Sequence, residues 1–122
     1  MRFVRERSPL PIIADESCVV ASDIPKLVGV VDGINIKLAK CGGLREAMKM
    51  ISAARAHGML VMMGCMIESS LGIAAAAHMA ALLDYADLDG AALLANDPFS
   101  GPTIEGGNIA IPNAPGLGVQ RV

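Results

Sequence analysis

Apolar and polar positions along the chain change period several times, and each change predicts an element. Leu10 to Ala14 is a short apolar run entered through Pro9 and Pro11 and leaving into Asp15-Glu16-Ser17, which reads as a strand. Ser22 or Asp23 is placed to cap a helix that carries Pro25 in its first turn and runs to about Val30. Gly33 then leads into Ile34-Asn35-Ile36-Lys37-Leu38, a strand that ends near the double glycine Gly42-Gly43. Alternation puts Asn35 and Lys37 on one face of that strand and Ile34, Ile36 and Leu38 on the other. Leu44, Ala47, Met48, Ile51 and Ala54 form a helical stripe that extends to His57, with Gly58 as its left-handed stop. Met59 to Met63 reads as a buried strand, Leu71 to Leu83 as a helix and Tyr85 to Leu88 as a last short strand. The Gly- and Pro-rich tail from Gly101 holds a strand-like piece at Asn108 to Ile111, with Glu105-Gly106-Gly107-Asn108 as a hairpin connection. Four strands alternating with three helices predict an α/β fold with a parallel sheet of right-handed βαβ units.

Composition narrows the function classes. The chain has 122 residues, 53% of them hydrophobic, and a net charge of -2, which describes a core-rich globule of one domain's length. Basic residues are scattered and the aromatics are only Phe3, Tyr85 and Phe99, so no nucleic-acid face is expected. The long apolar region from Met59 to Leu83 is interrupted by Glu68-Ser69-Ser70 and turns alanine-rich, so strand followed by helix is preferred to a membrane span. Met1 to Arg7 is charged and precedes no apolar leader core. Cys18, Cys41 and Cys65 are odd in number and lack metal spacing, which favours a reduced, cytoplasmic setting over a disulfide framework.

Candidate chemistry gathers at the strand ends. Ligands of parallel α/β proteins bind at the carboxyl ends of the strands, and here those ends carry Asp15 and Glu16, then Lys37, then Cys65 to Glu68, then Asp87 and Asp89. A lysine on the inner face of a buried strand loses solvation, which is expected to pull its pKa down toward a range where the amine acts as a base. Asp87 and Asp89 stand two apart on a strand, so their side chains point the same way and are spaced to grip an ammonium group. Met66 and Ile67 read as pocket wall, Glu68 as a helix cap or ion-pair partner, and Lys40 as a surface lysine or a neutralising partner for Glu16, a structural role in preference to a chemical one. His57 suits a helix C-terminus, His78 an alanine-rich helix, and Met59, Met62 and Met63 the core. Gly42-Gly43 fits a tight strand-to-helix turn, with no P-loop or dinucleotide pattern around it.

Ile12-Ile13-Ala14-Asp15-Glu16-Ser17, Asn35-Ile36-Lys37-Leu38-Ala39-Lys40-Cys41-Gly42-Gly43, Gly64-Cys65-Met66-Ile67-Glu68 and Asp87-Leu88-Asp89 together resemble the enolase superfamily. Within it they are most similar to the muconate-cycloisomerase-type subgroup and its dipeptide epimerases of the L-Ala-D/L-Glu kind. The resemblance runs from Pro9 through the Pro115-Gly116-Leu117-Gly118 tail. It implies that residues 1–122 are the C-terminal part of a TIM-like (β/α)₇β barrel, about strands 5 to 8, without the capping domain and the first barrel strands.

The resemblance further implies Mg²⁺-dependent epimerisation of a dipeptide by α-proton abstraction through an enediolate. Asp15 matches one of three carboxylate ligands for Mg²⁺, Lys37 the catalytic acid/base, and Asp87 and Asp89 the grip on the substrate's amino group. Met66 and Ile67 line the substrate; Glu16, Asn35, Lys40 and Glu68 surround these groups. The other two metal ligands and the second lysine have no match. The chain is therefore expected to need the missing part of the barrel, or a further copy of itself, as partner. A cycloisomerase or o-succinylbenzoate synthase on the same scaffold is one alternative, against which the acidic pair speaks because it would repel a second substrate carboxylate. An inactive fragment, or a half-barrel that works only in assembly, is the other.

Overall fold

The computed structural model describes residues 1–122. A short helix α1 (Arg2–Arg5) precedes β1 (Ile13–Ala14), β2 (Gly33–Lys37), helices α2 (Leu38–Cys41) and α3 (Leu44–Ala56), β3 (Leu60–Gly64), α4 (Ser70–Ala77) and β4 (Tyr85–Ala86). The tail adds β5 (Phe99–Ser100), β6 (Thr103–Glu105), β7 (Asn108–Ala110) and β8 (Gln120–Arg121). The sheet order is β1-β2-β3-β4, every neighbour parallel. That sequential order, with no reversal, is the order of a barrel wall, whereas a doubly wound sheet switches direction.

The register sorts the two faces. Ala14 pairs with Ile34, Ile34 with Val61 and Ile36 with Met63. These side chains are buried with Ala47, Met50 and Ala54 of α3, which forms the outer layer. The opposite face carries Asn35 against Met62, Lys37 against Gly64 and Tyr85 against Met62. Both faces of β2 are covered as far as Ile36, and only Lys37 at its end is partly open. The tail folds on its own terms: β6 and β7 pair antiparallel around Gly106 and Gly107, whose positive φ values of 55° and 79° suit the tight hairpin connection. β5 pairs antiparallel with β8.

Several predicted boundaries are corrected. The strand expected from Leu10 begins only at Ile13, because Pro9 and Pro11 have no N–H for a ladder. The helix expected to reach Val30 is a 3₁₀ helix over Ala21–Lys26 with Pro25 inside it. Its entry is held by Asp23 reaching back to the N–H groups of Val19 and Val20, at 3.0 Å each, and not by a side chain at the cap position. Leu38 belongs to α2 and not to the strand, yet it remains buried. The predicted helix to Leu83 ends at Ala77, where His78 Nδ1 bonds the Ala74 carbonyl at 2.7 Å, and a separate 3₁₀ turn covers Ala80–Leu82. The last strand stops at Ala86 instead of Leu88.

Candidate active site

β1 and β2 run side by side, and Asp15, the first residue past β1, meets Lys37, the last residue of β2. Asp15 follows Ala14, whose side chain is in the core, so the Asp15 carboxyl turns to the inner face where Asn35 and Lys37 already point. Lys37 Nζ donates to Asp15 Oδ2 at 2.7 Å, and Asn35 Nδ2 donates to the same oxygen at 3.2 Å. Asp15 Oδ1 accepts no hydrogen bond and has Lys40 Nζ at 3.8 Å. Lys40, one turn into α2, pairs with Glu16, which also stands 4.0 Å from Lys37 Nζ. The predicted partnership of Lys40 and Glu16 is therefore present.

Electrostatics reverse one expectation. The hydrogen bond to Asp15 raises the pKa of Lys37 and outweighs the desolvation that would lower it, with the charges of Asp15 and Glu16 adding to the rise. In this arrangement Lys37 is an ammonium, not the free amine its position on the strand suggested. Burial pushes the Asp15 carboxyl up, but the Lys37 hydrogen bond and charge, with Asn35, hold it below the usual carboxylate range.

The remaining candidates line the neighbouring strand ends. The Asp87 N–H donates to the Met63 carbonyl at 2.9 Å, so Asp87 continues the inner row of β4 two residues beyond Tyr85. In that row Gly64 separates Lys37 from Asp87, two strand spacings or roughly 9–10 Å apart at the backbone, with the Asn35 amide lying against the glycine. Leu88 is buried, while Asp87 and Asp89 are exposed. Both lie outside the chain's ion pairs, whose acids are Glu6, Asp15, Glu16, Asp32, Glu46 and Asp84. Burial raises the Cys65 thiol, the Gly90 backbone counteracts it, and the nearby charges of Asp87, Asp89 and Glu68 raise it further. Met66 and Ile67 stand exposed on the loop after β3. Glu68 accepts the Met66 N–H at 3.1 Å and does not cap α4. That role falls to Asp97, which was not among the residues singled out from the sequence: its carboxylate accepts the N–H of Ser70 at 2.6 Å and of Phe99 at 3.0 Å. A cleft of about 460 Å³ lies at the other end of the strands among Arg5, Asp32 and His57.

The donor set decides what the site holds by itself. The Oδ1 oxygen of Asp15 is a hard donor suited to Mg²⁺. The chain gathers no set of three Asp, Glu, His or Cys side chains around one point, so these residues fit as part of a cation site and do not complete one.

Residues 1–121 match the enolase C-terminal domain-like family, and the chain belongs to it. An L-Ala-D/L-Glu epimerase of Bacteroides thetaiotaomicron is 48% identical over 120 residues, covering 98% of this chain and 31% of that protein. A dipeptide epimerase of Enterococcus faecalis, solved with Mg and the dipeptide L-Leu-L-Tyr, superposes with a TM-score of 0.89 at 40% identity, over 98% of this chain and 36% of that one. An N-acetyl-D-glutamate racemase of Pseudoalteromonas is 46% identical over 96 residues, 79% of this chain and 30% of that protein. The chain thus spans about a third of the length of the relatives it matches. The relatives are epimerases and racemases, and the parallel wall of four strands is part of the barrel of such isomerases.

Proposed function

We propose that this chain is the C-terminal barrel portion of a Mg²⁺-dependent dipeptide epimerase, active when the rest of the barrel and a capping domain are present. The observation that carries the reading is the contact of Lys37 Nζ with Asp15 at 2.7 Å where two adjacent parallel strands end. Lys37 is the acid/base group. Its ammonium form is the one that delivers a proton to the α-carbon, and taking a proton back requires the Asp15 charge to be engaged elsewhere. Lewis-acid stabilisation of the charge that develops beside the substrate carboxylate would come from Mg²⁺ held in part by Asp15. Glu16 and Lys40 neutralise one another beside this pair and keep its net charge low.

Asp87 and Asp89 favour a substrate with a free ammonium group, as in a dipeptide, over an N-acylated amino acid of the kind the Pseudoalteromonas relative's name describes. Their charge also disfavours the cycloisomerase and o-succinylbenzoate synthase alternatives. Met66 and Ile67, exposed on the loop after β3, are suited to close on the substrate side chain. β1 and β4 are open edges of the sheet, which supports the need for the missing strands as partner in place of a self-sufficient half. Three free cysteines support the reading of a reduced setting.

The test is a chimera in which this chain replaces the matching stretch of the Bacteroides thetaiotaomicron epimerase. Chiral separation of products should show L-Ala-L-Glu converted to L-Ala-D-Glu, with N-acetylglutamate left unchanged. Conversion of N-acetylglutamate in preference to the dipeptide would overturn the substrate assignment.

A further inference from the structure

The chain contains one buried side-chain polar atom without a hydrogen-bond partner, Asn35 Oδ1. Its position is informative because native proteins rarely leave such an atom unpaired, and an unpaired acceptor costs stability wherever it is buried. Asn35 is only 8% exposed and sits two residues before Lys37 on the inner face of β2. Its amide group has two possible orientations, and Asp15 selects between them. With Nδ2 at 3.2 Å from Asp15 Oδ2 the contact is a hydrogen bond; the flipped amide would set one acceptor oxygen against a carboxylate oxygen. The orientation that serves Asp15 is the one that strands Oδ1.

Gly64 completes the arrangement from the next strand. A Cβ at that position would lie 2.8 Å from Asn35 Nδ2 and 2.9 Å from Asn35 Oδ1, so the amide occupies the volume that any other residue would need. The two positions are diagonal neighbours on one face, since Asn35 pairs with Met62 and Gly64 lies two residues on.

We infer that Asn35 and Gly64 together form a positioning lock for Asp15: the amide, seated over the glycine, fixes one carboxylate oxygen beside Lys37 and leaves Oδ1 as the oxygen presented to a ligand. Asn35 is a positioning residue in this scheme and touches neither substrate nor cation. The inference deepens the epimerase reading and rests on it for its purpose, but the lock itself is a property of the unliganded chain.

The experiment measures the Asp15 side-chain rotamer by NMR three-bond couplings to its β-protons, alongside the thermal midpoint, in the 122-residue chain and in Asn35→Leu and Gly64→Ala. The wild-type chain should show a single χ1 rotamer at Asp15. In Asn35→Leu the couplings should average while the midpoint stays level or rises, because an unpaired buried acceptor has been replaced by a carbon skeleton of similar size. Gly64→Ala should average the same couplings by displacing the amide without removing it. Unchanged couplings in both variants would overturn the lock, since Lys37 alone would then hold the carboxylate. A fallen midpoint or loss of folding in Asn35→Leu would overturn it too, because a purely structural asparagine behaves that way. Neither readout needs turnover or metal, so failure here leaves the epimerase reading standing, and failure of that reading leaves these couplings as they are.

Discussion

Asp84 and Val61 hold each other at two points: the Val61 N–H donates to the Asp84 carboxylate at 2.7 Å, and the Asp84 N–H donates to the Val61 carbonyl at 2.8 Å. Asp32 and Ile12 repeat the relationship at 2.8 Å in both directions. An arginine from the helix before each strand pair closes the third side, Arg55 at 2.6 Å from Asp84 and Arg5 at 2.7 Å from Asp32. Both clasps lie at the N-terminal ends of the strands, away from Lys37, where a barrel concentrates its stabilising contacts. Hydrogen bonds to a charged group contribute about 1.5–3 kcal/mol, so Asp84→Ala should lower the unfolding free energy by about that amount in urea denaturation. A loss under about 0.5 kcal/mol, the range of an ordinary surface substitution, would show the clasp to be incidental.

The same clasps set an acid limb. The N–H of Ile12 and then the Arg5 side chain hold the Asp32 carboxyl below its ordinary value, and the N–H of Val61 and then Arg55 do so for Asp84. A carboxyl whose folded pKa is depressed adds stability above its unfolded pKa, near 3.8 here, and loses it as pH falls through the lower folded value. The thermal midpoint should therefore be insensitive to these groups from neutral pH down to about 5 and fall below about 4. In the Asp32→Asn, Asp84→Asn double variant the midpoint should start lower and the acid fall should be shallower. An equally steep fall in that variant would assign acid sensitivity to other groups.

Asp97 anchors the start of α4 from 27 positions away. A carboxylate at a helix N-terminus satisfies free N–H groups and suits the helix dipole. Asp97→Ala should lower the thermal midpoint, as the loss of a helix cap does. Hydrogen exchange should accelerate at the Ser70 and Phe99 amides and stay unchanged at Val61. Uniform acceleration across the sheet would mean global destabilisation instead of a local cap.

These contacts mark the boundary of what the chain reveals before it folds. Helix α3, the Gly106-Gly107 hairpin and the four parallel strands were legible because each has an unbroken local period or a glycine pair at a turn. The adjacency of Asp15 and Lys37 was legible as a class of site, since both fall at strand ends. Strand lengths were not, because pairing sets them: Leu38 continues an apolar run equally compatible with strand and helix. The pKa direction of Lys37 was misjudged because its partner is 22 positions away and desolvation was considered without it. The cap by Asp97 and the seating of Asn35 over Gly64 depend on tertiary contacts for which local patterns carry no signal.

On the proposed reading Lys37, oriented by Asp15, moves a proton at the substrate's α-carbon, and inversion needs it even where a second lysine can exchange that proton with retention. L-Ala-L-Glu is incubated in deuterated water with Mg²⁺ and the chimera, its Lys37→Ala variant or the isolated chain, and α-deuterated L-Ala-D-Glu is quantified by proton NMR after chiral separation. The chimera should form it, Lys37→Ala should form it at least about 100-fold more slowly, as for a missing acid/base group, and the isolated chain should form none above background. Undiminished inversion in Lys37→Ala would overturn the role given to this lysine.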